Sequence, residues 1–394
     1  MNLIDALKEI ENIVGKDNIS TRKIDKIVYS FDASEMEGNA TAIVWVESTQ
    51  ELEKILKVVN KRKATLVLRG GGTSLTGSAV PINSIVIDIS GLNRILEINR
   101  KDRYVVVEPG VVLDDLNYEV KKYDLTFPIL PASHKVVTIG GIISTDAAGI
   151  RAVKYGKTRD WVIEMKVLTG DGKVKVVSGK RIDDFCGTEG ILGIILQAKL
   201  KLTEPIGKTS VSMFKFDEIR SLMEKVNELK DKVIALEFID KLAAGIEGLE
   251  KTNYLLAEFE GNQGDIKDEN KIAEIWKMRD GAYPSLAANG FPITGDPIVP
   301  LEKMGAFLSE LGKMGIPSIA HIGLGIVHPC FKQKDFEKKE KIMRLAIELD
   351  GKVSGEHGIG LTKKEFVERN YADRMRELNK KYDPNDILNR GKVI

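Results

Sequence analysis

Cysteine is almost missing from this chain, with Cys186 and Cys330 the only two among 394 residues. Two thiols cannot ligate an iron–sulfur cluster within the chain. They also make a disulfide framework implausible, so a reducing, cytoplasmic setting is expected. A surplus of charge is missing too: 59 Lys and Arg stand against 58 Asp and Glu, a formal net charge of +1. Nucleic-acid binding normally needs a basic surplus on one face, so no nucleic-acid partner is expected. Apolar runs of about 18 residues are absent, and no transmembrane segment is expected. The opening stretch MNLIDALKEIENIVGKDNIS lacks the basic start and unbroken apolar core of a secretory signal. Its Leu3, Ile4, Leu7, Ile10 and Ile13 recur at helical spacing and predict an amphipathic helix. Neither low-complexity tracts nor internal repeats occur.

What is present is enough for more than one core, since 394 residues exceed the size at which a single core usually stops growing. From about Thr41 to Pro205, short Val- and Ile-rich runs alternate with glycine turns, and TQELEKILKVVNKR reads as a helix between the first two. TGDGKV around Asp171 and Gly172 reads as a hairpin turn. Beyond Pro205 strand-like and helix-like stretches take turns: TSVSMFKF, DEIRSLMEKVNELKD, KVIALEFID, NYLLAEFEG and onward. That texture predicts one sheet covered by helices. GNQGDIKDENK reads as an exposed loop within it, and the tail from Gly351 is glycine-rich and then helical.

Glycine is plentiful, and it is concentrated where chemistry is expected. VLRGGGTSLTGSAVP places three glycines behind Arg69 and follows them with hydroxyl residues. Ordering glycine is entropically expensive, so something must approach the backbone closely. Amides at Gly70, Gly71, Gly72, Thr73 and Ser74 can form a nest for anionic oxygens. The loop is neither a P-loop nor a Rossmann fingerprint. Two further small-residue segments, TIGGIISTDAAGIRAVKYGKTRDWV and CGTEGILGIILQAKLKL, lie in the same half.

In this set and its order the chain resembles the FAD-linked oxidases of the vanillyl-alcohol-oxidase/PCMH type, within them the D-2-hydroxyacid dehydrogenases that include glycolate oxidase FAD subunits and D-lactate dehydrogenases. The resemblance covers nearly the whole length. It implies an α+β fold with a PCMH-type FAD-binding domain over residues 1–205, an α/β cap over 206–350, and a C-terminal segment 351–394 that completes the active site. It implies that Arg69 to Ser74 hold the flavin pyrophosphate, with Pro109 and Gly110 nearby. Thr138, Gly140, Gly141, Ser144, Thr145, Asp146 and Gly149 are placed along the isoalloxazine and diphosphate, and Glu189, Gly190 and Ile195 near the adenosine end. Family members that attach FAD covalently through the first loop carry a histidine there. RGGGTSLTGS has none, so non-covalent FAD is expected, with His134 a structural or channel residue.

Three of only four histidines fall between residues 321 and 357: HIGLGIVHP carries His321 and His328, and SGEHGIG carries Glu356 and His357. Seven residues apart on a straight strand, two side chains point to opposite faces. Gly323 and Gly325 let the chain bend so that both could reach one point. On their own these histidines read either as hydrogen-bonded core residues or as part of a two-imidazole, one-carboxylate ligand set. The resemblance carries a metal site onto His321, His328 and Glu356 (zinc or manganese), the catalytic base onto His357, and the substrate-carboxylate arginine onto Arg279 in IWKMRDG. Where the family reads Gly-Asp-Gly-Asn this chain has Gly323-Leu324-Gly325-Ile326, and Cys330 replaces a frequent asparagine, so a more apolar substrate pocket is expected. The implied activity is oxidation of a small 2-hydroxyacid, with electrons passed to an external acceptor such as an iron–sulfur or electron-transfer flavoprotein subunit. Two other readings stand beside it: a non-catalytic FAD-carrying subunit of a multi-subunit oxidase, and a flavin reductase that uses NAD(P)H.

Overall fold

A computed structural model describes residues 3–394. The chain folds as three sheets wrapped by helices. The first sheet has four strands in the order Ile19–Ser20, Asn39–Trp45, Ile82–Asp88, Leu66–Arg69, the last three running parallel. Its crossover is the helix Thr49–Arg62, and the local sequence explains both ends. The Ser48 hydroxyl accepts from the Glu51 amide while the Glu51 carboxylate accepts from the Ser48 amide, and Lys63 closes the helix in a left-handed conformation with φ of 54°. That reciprocal pair satisfies two donors that helix geometry leaves orphaned. Leu52, Ile55, Leu56 and Val59 then face the core, as their spacing predicts.

The second sheet is antiparallel, with strands Ile95–Asn99, Tyr104–Val107, Gly193–Lys201, Val162–Thr169 and Val174–Ser178 in that spatial order. The turn at Asp171 and Gly172 joins its last two strands as a hairpin. The third sheet holds six strands: Thr209–Phe216, Asn253–Glu260, Ala235–Ile239, Ser318–His321, Ile326–Phe331 and Ile293–Thr294. Helices Ile219–Leu229, Leu301–Met314 and Phe336–Glu348 cover it through a core that includes Leu236, Phe238, Phe307 and Phe331.

Two expectations are adjusted. The N-terminal helix Leu3–Val14 buries Ala6, Ile10 and Val14, while Ile4 stays exposed, so its inward face is turned from the one the largest residues suggested. Small Ala6 fits flush against the helix Thr49–Arg62, where a branched side chain at that spot would hold the two apart. The segment after Gly351 also does more than complete a site. Met375, Tyr382 and Val393 enter the core of the second sheet, and Ile387 and Leu388 enter that of the first. Chain end and chain start thus share their cores.

Lys392 shows how firmly that end is held. It is 1% exposed, and its ammonium donates to the Ser78 carbonyl at 2.6 Å and to Asn389 Oδ1 at 2.7 Å. Burial lowers its pKa to about 7, against the opposing pull of Asp32 and Glu189. An unfolded lysine titrates near 10.4. Between these values the unfolded chain holds a proton that the folded one does not, so Lys392 makes stability rise with pH across that window. Lys392 should therefore raise the melting temperature at about pH 8.5 relative to that at about pH 6.5 in calorimetry. Lys363, also lowered to about 7, adds to that increment, and His321, raised to about 10, opposes it. Lys392→Met should abolish the Lys392 increment, and an unchanged difference between the two pH values would remove Lys392 as its source.

Candidate active site

A cavity of about 860 Å³ lies where the two halves of the chain meet. Its first wall is built from the glycine segments. Gly70, Gly71, Gly72, Thr73 and Ser74 line it. No backbone amide of residues 71–74 finds a protein acceptor among the described residues. Such a row of free N–H groups is suited to anionic oxygens. The absence of side chains also serves the protein itself. A Cβ on Gly70 would run into the Thr138 hydroxyl, and one on Gly71 into the Val136 carbonyl. The first two glycine segments therefore press directly on one another.

The second segment contributes Thr138, Gly140, Gly141, Ser144, Thr145 and Gly149, with Pro109 beside them. Thr138 caps the short helix Ile139–Thr145, accepting from the Gly141 amide at 3.2 Å. Glu189, Gly190 and Ile195 close the far end. Glu189 is buried and accepts from the amides of Ile359 at 2.5 Å and Gly360 at 2.9 Å, and from the Ser78 hydroxyl. Burial nonetheless raises its pKa. It ties the loop after Ser74 to the C-terminal segment.

Three of the residues expected at the cofactor lie outside this lining. Arg69 ends a strand whose preceding residue, Leu68, faces the cavity, so alternation turns Arg69 away. Its guanidinium sits 5.2 Å from the Tyr29 ring centroid and donates to the Phe31 carbonyl. Asp146, in a left-handed conformation, accepts from Arg159 Nε at 2.7 Å. Gly110 lines a groove on the other side of the wall formed by Gly70 and Gly71.

The second wall carries the histidines. The strands Ser318–His321 and Ile326–Phe331 form a hairpin around a 3₁₀ turn at Ile322–Leu324 and Gly325, whose φ is +75°. Because Ile319 pairs with His328, and His321 lies two residues along from Ile319, both imidazoles emerge on the same face. Their ring centroids are 5.2 Å apart. Glu356 arrives from the C-terminal segment, its Oε1 at 3.3 Å from His321 Nε2 and 3.2 Å from His328 Nε2. One donor atom from each of the three lies within 4.8 Å of the others. His357 stacks on His328 with centroids 5.0 Å apart.

Burial and charge set the protonation of this group. Burial alone would depress His321, but the Glu237 and Glu356 carboxylates outweigh it and raise its pKa to about 10. His328 is driven down to about 4, chiefly by burial. Glu356 is held well below the carboxylate range by the imidazoles, against the effect of burial. Burial also lowers the His357 pKa, so the imidazole stays neutral to a lower pH than an exposed one would. His328 Nδ1 is buried with no hydrogen-bond partner.

Two acids hold this arrangement in place, and neither was singled out in the sequence. Glu237, in the apolar run IALEFI, accepts from His321 Nδ1 at 2.7 Å and from Arg279 Nε at 2.7 Å. Asp296, wholly buried, accepts from the amides of Gly355, Glu356 and His357 at 3.1, 2.8 and 2.7 Å. It also accepts from the Ser354 hydroxyl and pairs with the buried ammonium of Lys363. A lone charge inside an apolar strand was the available signal for Glu237, since such groups are rarely buried unless paired. Asp296 carried no such signal, because an aspartate ahead of a proline, as in TGDPIVP, is common turn chemistry.

The expected apolar change to the pocket does not follow from the three departures. Leu324 and Ile326 pack with Ala148, Ala152 and Ile298, and Cys330 is wholly buried beside Ile319 and Ala282. None of the three lines the cavity. Ile326 and Cys330, two residues to either side of His328, share its face of the strand and are kept from the cavity by the side chains packed over them. Thr294, Tyr283 and Arg279 line it instead. His134 lines it too, its Nδ1 2.5 Å from Asp114 Oδ1. Cys186 and Cys330 lie in separate cores.

The donor sets fit both groups expected of such a site. The free amides of the glycine loop and the apolar walls suit a flat dinucleotide carrying a diphosphate. Two imidazoles, one carboxylate, and a second carboxylate behind His321 suit a divalent cation. Comparison with known proteins agrees on the first. The FAD binding domain family matches residues 40–178, and the C-terminal domain of the FAD linked oxidases matches residues 208–393. Glycolate oxidase subunit GlcD of Bacillus subtilis is 29% identical, the match covering 99% of this chain and 97% of that protein. A D-2-hydroxyglutarate dehydrogenase of Stutzerimonas stutzeri is 28% identical, covering 90% and 91%. A D-lactate dehydrogenase of Archaeoglobus fulgidus is also 28% identical, covering 89% and 91%. A solved alkyldihydroxyacetonephosphate synthase shares the fold, with a TM-score of 0.72 at 16% identity over 100% of this chain and 85% of that one. No described helix is long and apolar enough to cross a membrane. With both of its domains matched, and the glycine-lined cavity at their junction, the chain belongs to the FAD-linked oxidases and is an FAD-dependent dehydrogenase or oxidase.

Proposed function

We propose that the protein oxidises a small 2-hydroxyacid of the lactate or glycolate kind to its 2-oxoacid. The observation that carries this reading is one cavity lined by the glycine loops, Arg279, His321, His328, Glu356 and His357. The relatives named for glycolate, D-lactate and D-2-hydroxyglutarate support the substrate class. Bound FAD supplies the acceptor for the C2 hydride, the one part of this oxidation that no side chain can perform. His321, His328 and Glu356 would hold a zinc or manganese ion, which would supply Lewis acidity toward the substrate hydroxyl.

The chain's own residues do the rest. Arg279 binds the substrate carboxylate. Its Nε and Nη2 already face Glu237, at 2.7 and 2.6 Å, which leaves the end of the guanidinium fork for the ligand. His357 takes the hydroxyl proton at Nε2, which lies 3.5 Å from Glu356 Oε1. The apolar walls keep water from competing for that proton. One proton and one hydride leave the substrate, and a 2-oxoacid remains. The two electrons then pass to an external partner, for which an iron–sulfur or electron-transfer flavoprotein subunit is the proposed class.

Anaerobic titration of the yellow protein against paired D- and L-2-hydroxyacids tests the reading. A D-2-hydroxyacid should bleach the flavin, and verified removal of the divalent ion should slow the bleaching without releasing FAD. If dithionite reduces the flavin and no hydroxyacid does, the chain is an FAD carrier. If NAD(P)H alone bleaches it, the chain is a reductase.

A further inference from the structure

Glu237 is the least expected charge in the molecule. It sits in the middle of Ala235–Ile239, an interior strand buried along its whole length, with a side chain 1% exposed. The register that pairs Phe238 with Ala320 brings Glu237 level with His321 on the neighbouring strand. Its two oxygens go to different partners. Oε1 takes His321 Nδ1 at 2.7 Å, and Oε2 takes Arg279 Nε at 2.7 Å and Nη2 at 2.6 Å. Arg279 comes from the helix Glu269–Ala288, a separate element whose Ala282 and Leu286 share an apolar core with Ile319 and Cys330 of the histidine hairpin.

We infer that Glu237 is a positioning residue that sets the metal-ligand histidine and the carboxylate-binding arginine in one frame. This rests on the reading of the site given above. A buried carboxylate fits a packing role poorly, since an apolar residue of similar volume fills such a strand without a desolvation cost. As a shared acceptor it does two things that packing cannot. It keeps the proton of His321 on Nδ1, so that Nε2 stays available on the side of His328 and Glu356. It also occupies one edge of the Arg279 fork and so fixes which edge meets a substrate. The distance between the bound carboxylate and the cation-side hydroxyl is thereby set by one side chain that touches neither.

Glu237→Gln is nearly the same shape but offers one acceptor and one donor. It can satisfy Arg279 only by turning its amide N–H toward His321, which forces the imidazole to accept at Nδ1 and to hold its proton on Nε2. FAD-loaded protein is titrated with zinc against a competing chelator, alongside wild type and His328→Ala. Glu237→Gln should weaken zinc about 10- to 100-fold with an unchanged flavin spectrum. It should also raise KM for D-lactate about tenfold. Because a neutral residue at 237 leaves Arg279 buried without a counter-charge, Glu237→Leu/Arg279→Met is made as well. A zinc loss of similar size is expected in it, since leucine offers His321 Nδ1 no acceptor. Zinc affinity within about threefold of wild type in either variant, while His328→Ala has lost it, overturns the inference and leaves the metal site standing. An unchanged KM overturns its arginine half. Wild type that holds zinc no better than His328→Ala overturns the inference together with the metal reading.

Discussion

Replacing His357 with alanine should leave a yellow protein whose flavin a hydroxyacid reduces about 100- to 10,000-fold more slowly, the usual worth of a general base. The FAD should be retained, because the glycine wall of the cavity comes from the other half of the chain and His357 packs on His328 instead. Burial keeps the imidazole neutral, and hence able to accept a proton. Its main-chain amide is held by Asp296 at 2.7 Å, so removing the ring leaves the backbone where it was. Stopped-flow absorbance of the flavin under anaerobic conditions reads the rate directly. Reduction at the wild-type rate would remove His357 from the chemistry.

Asp296→Ala should be the most destabilising single change at the site, by about 3–5 kcal/mol, because it breaks a buried pair and strands one partner. The carboxylate gathers the amides of Gly355, Glu356 and His357, the Ser354 hydroxyl and the Lys363 ammonium. Lys363 is itself 1% exposed and cannot turn to water. Without Asp296 the loop that presents Glu356 and His357 loses its common acceptor, so affinity for a divalent ion should fall together with stability. Adding Lys363→Met should restore much of the stability but not the ion affinity, since the three amides stay unheld. Urea unfolding followed by tryptophan fluorescence measures the first effect. A loss below about 1 kcal/mol would place Asp296 among ordinary buried residues.

The elements were legible wherever local pattern and local chemistry agreed. The helix Thr49–Arg62 carried its capping box in Ser48 and Glu51, the strand Thr209–Phe216 matched its run residue for residue, and the turn at Asp171 and Gly172 made its hairpin. The glycine segments and the histidine cluster were legible too, because scarce or unusual residue types were crowded into short stretches. Less legible was the direction in which a side chain points. Arg69, Asp146 and Gly110 stand in the right segments and away from the cavity. Leu324 and Ile326 sit between His321 and His328, and Cys330 close beside them, yet all three pack into cores instead of lining the cavity. For Arg69 a one-residue step from Leu68 reverses the face. Ile326 and Cys330 share the face of His328 and are covered by packing, and no composition argument registers either effect.

The order of glycine loops, the two histidines bracketing Gly323 and Gly325, and the carboxylate ahead of His357 are properties of the chain alone. They settle which chemistry-bearing groups the protein owns and roughly where its elements begin and end, because spacing and capping act over a few residues. Which of those groups meet was decided by long-range pairing. Glu237 lies 84 residues from His321 and 42 from Arg279, and Asp296 lies 61 from His357. Contacts across such separations depend on strand order and register, which the packing of whole sheets selects and no local stretch encodes.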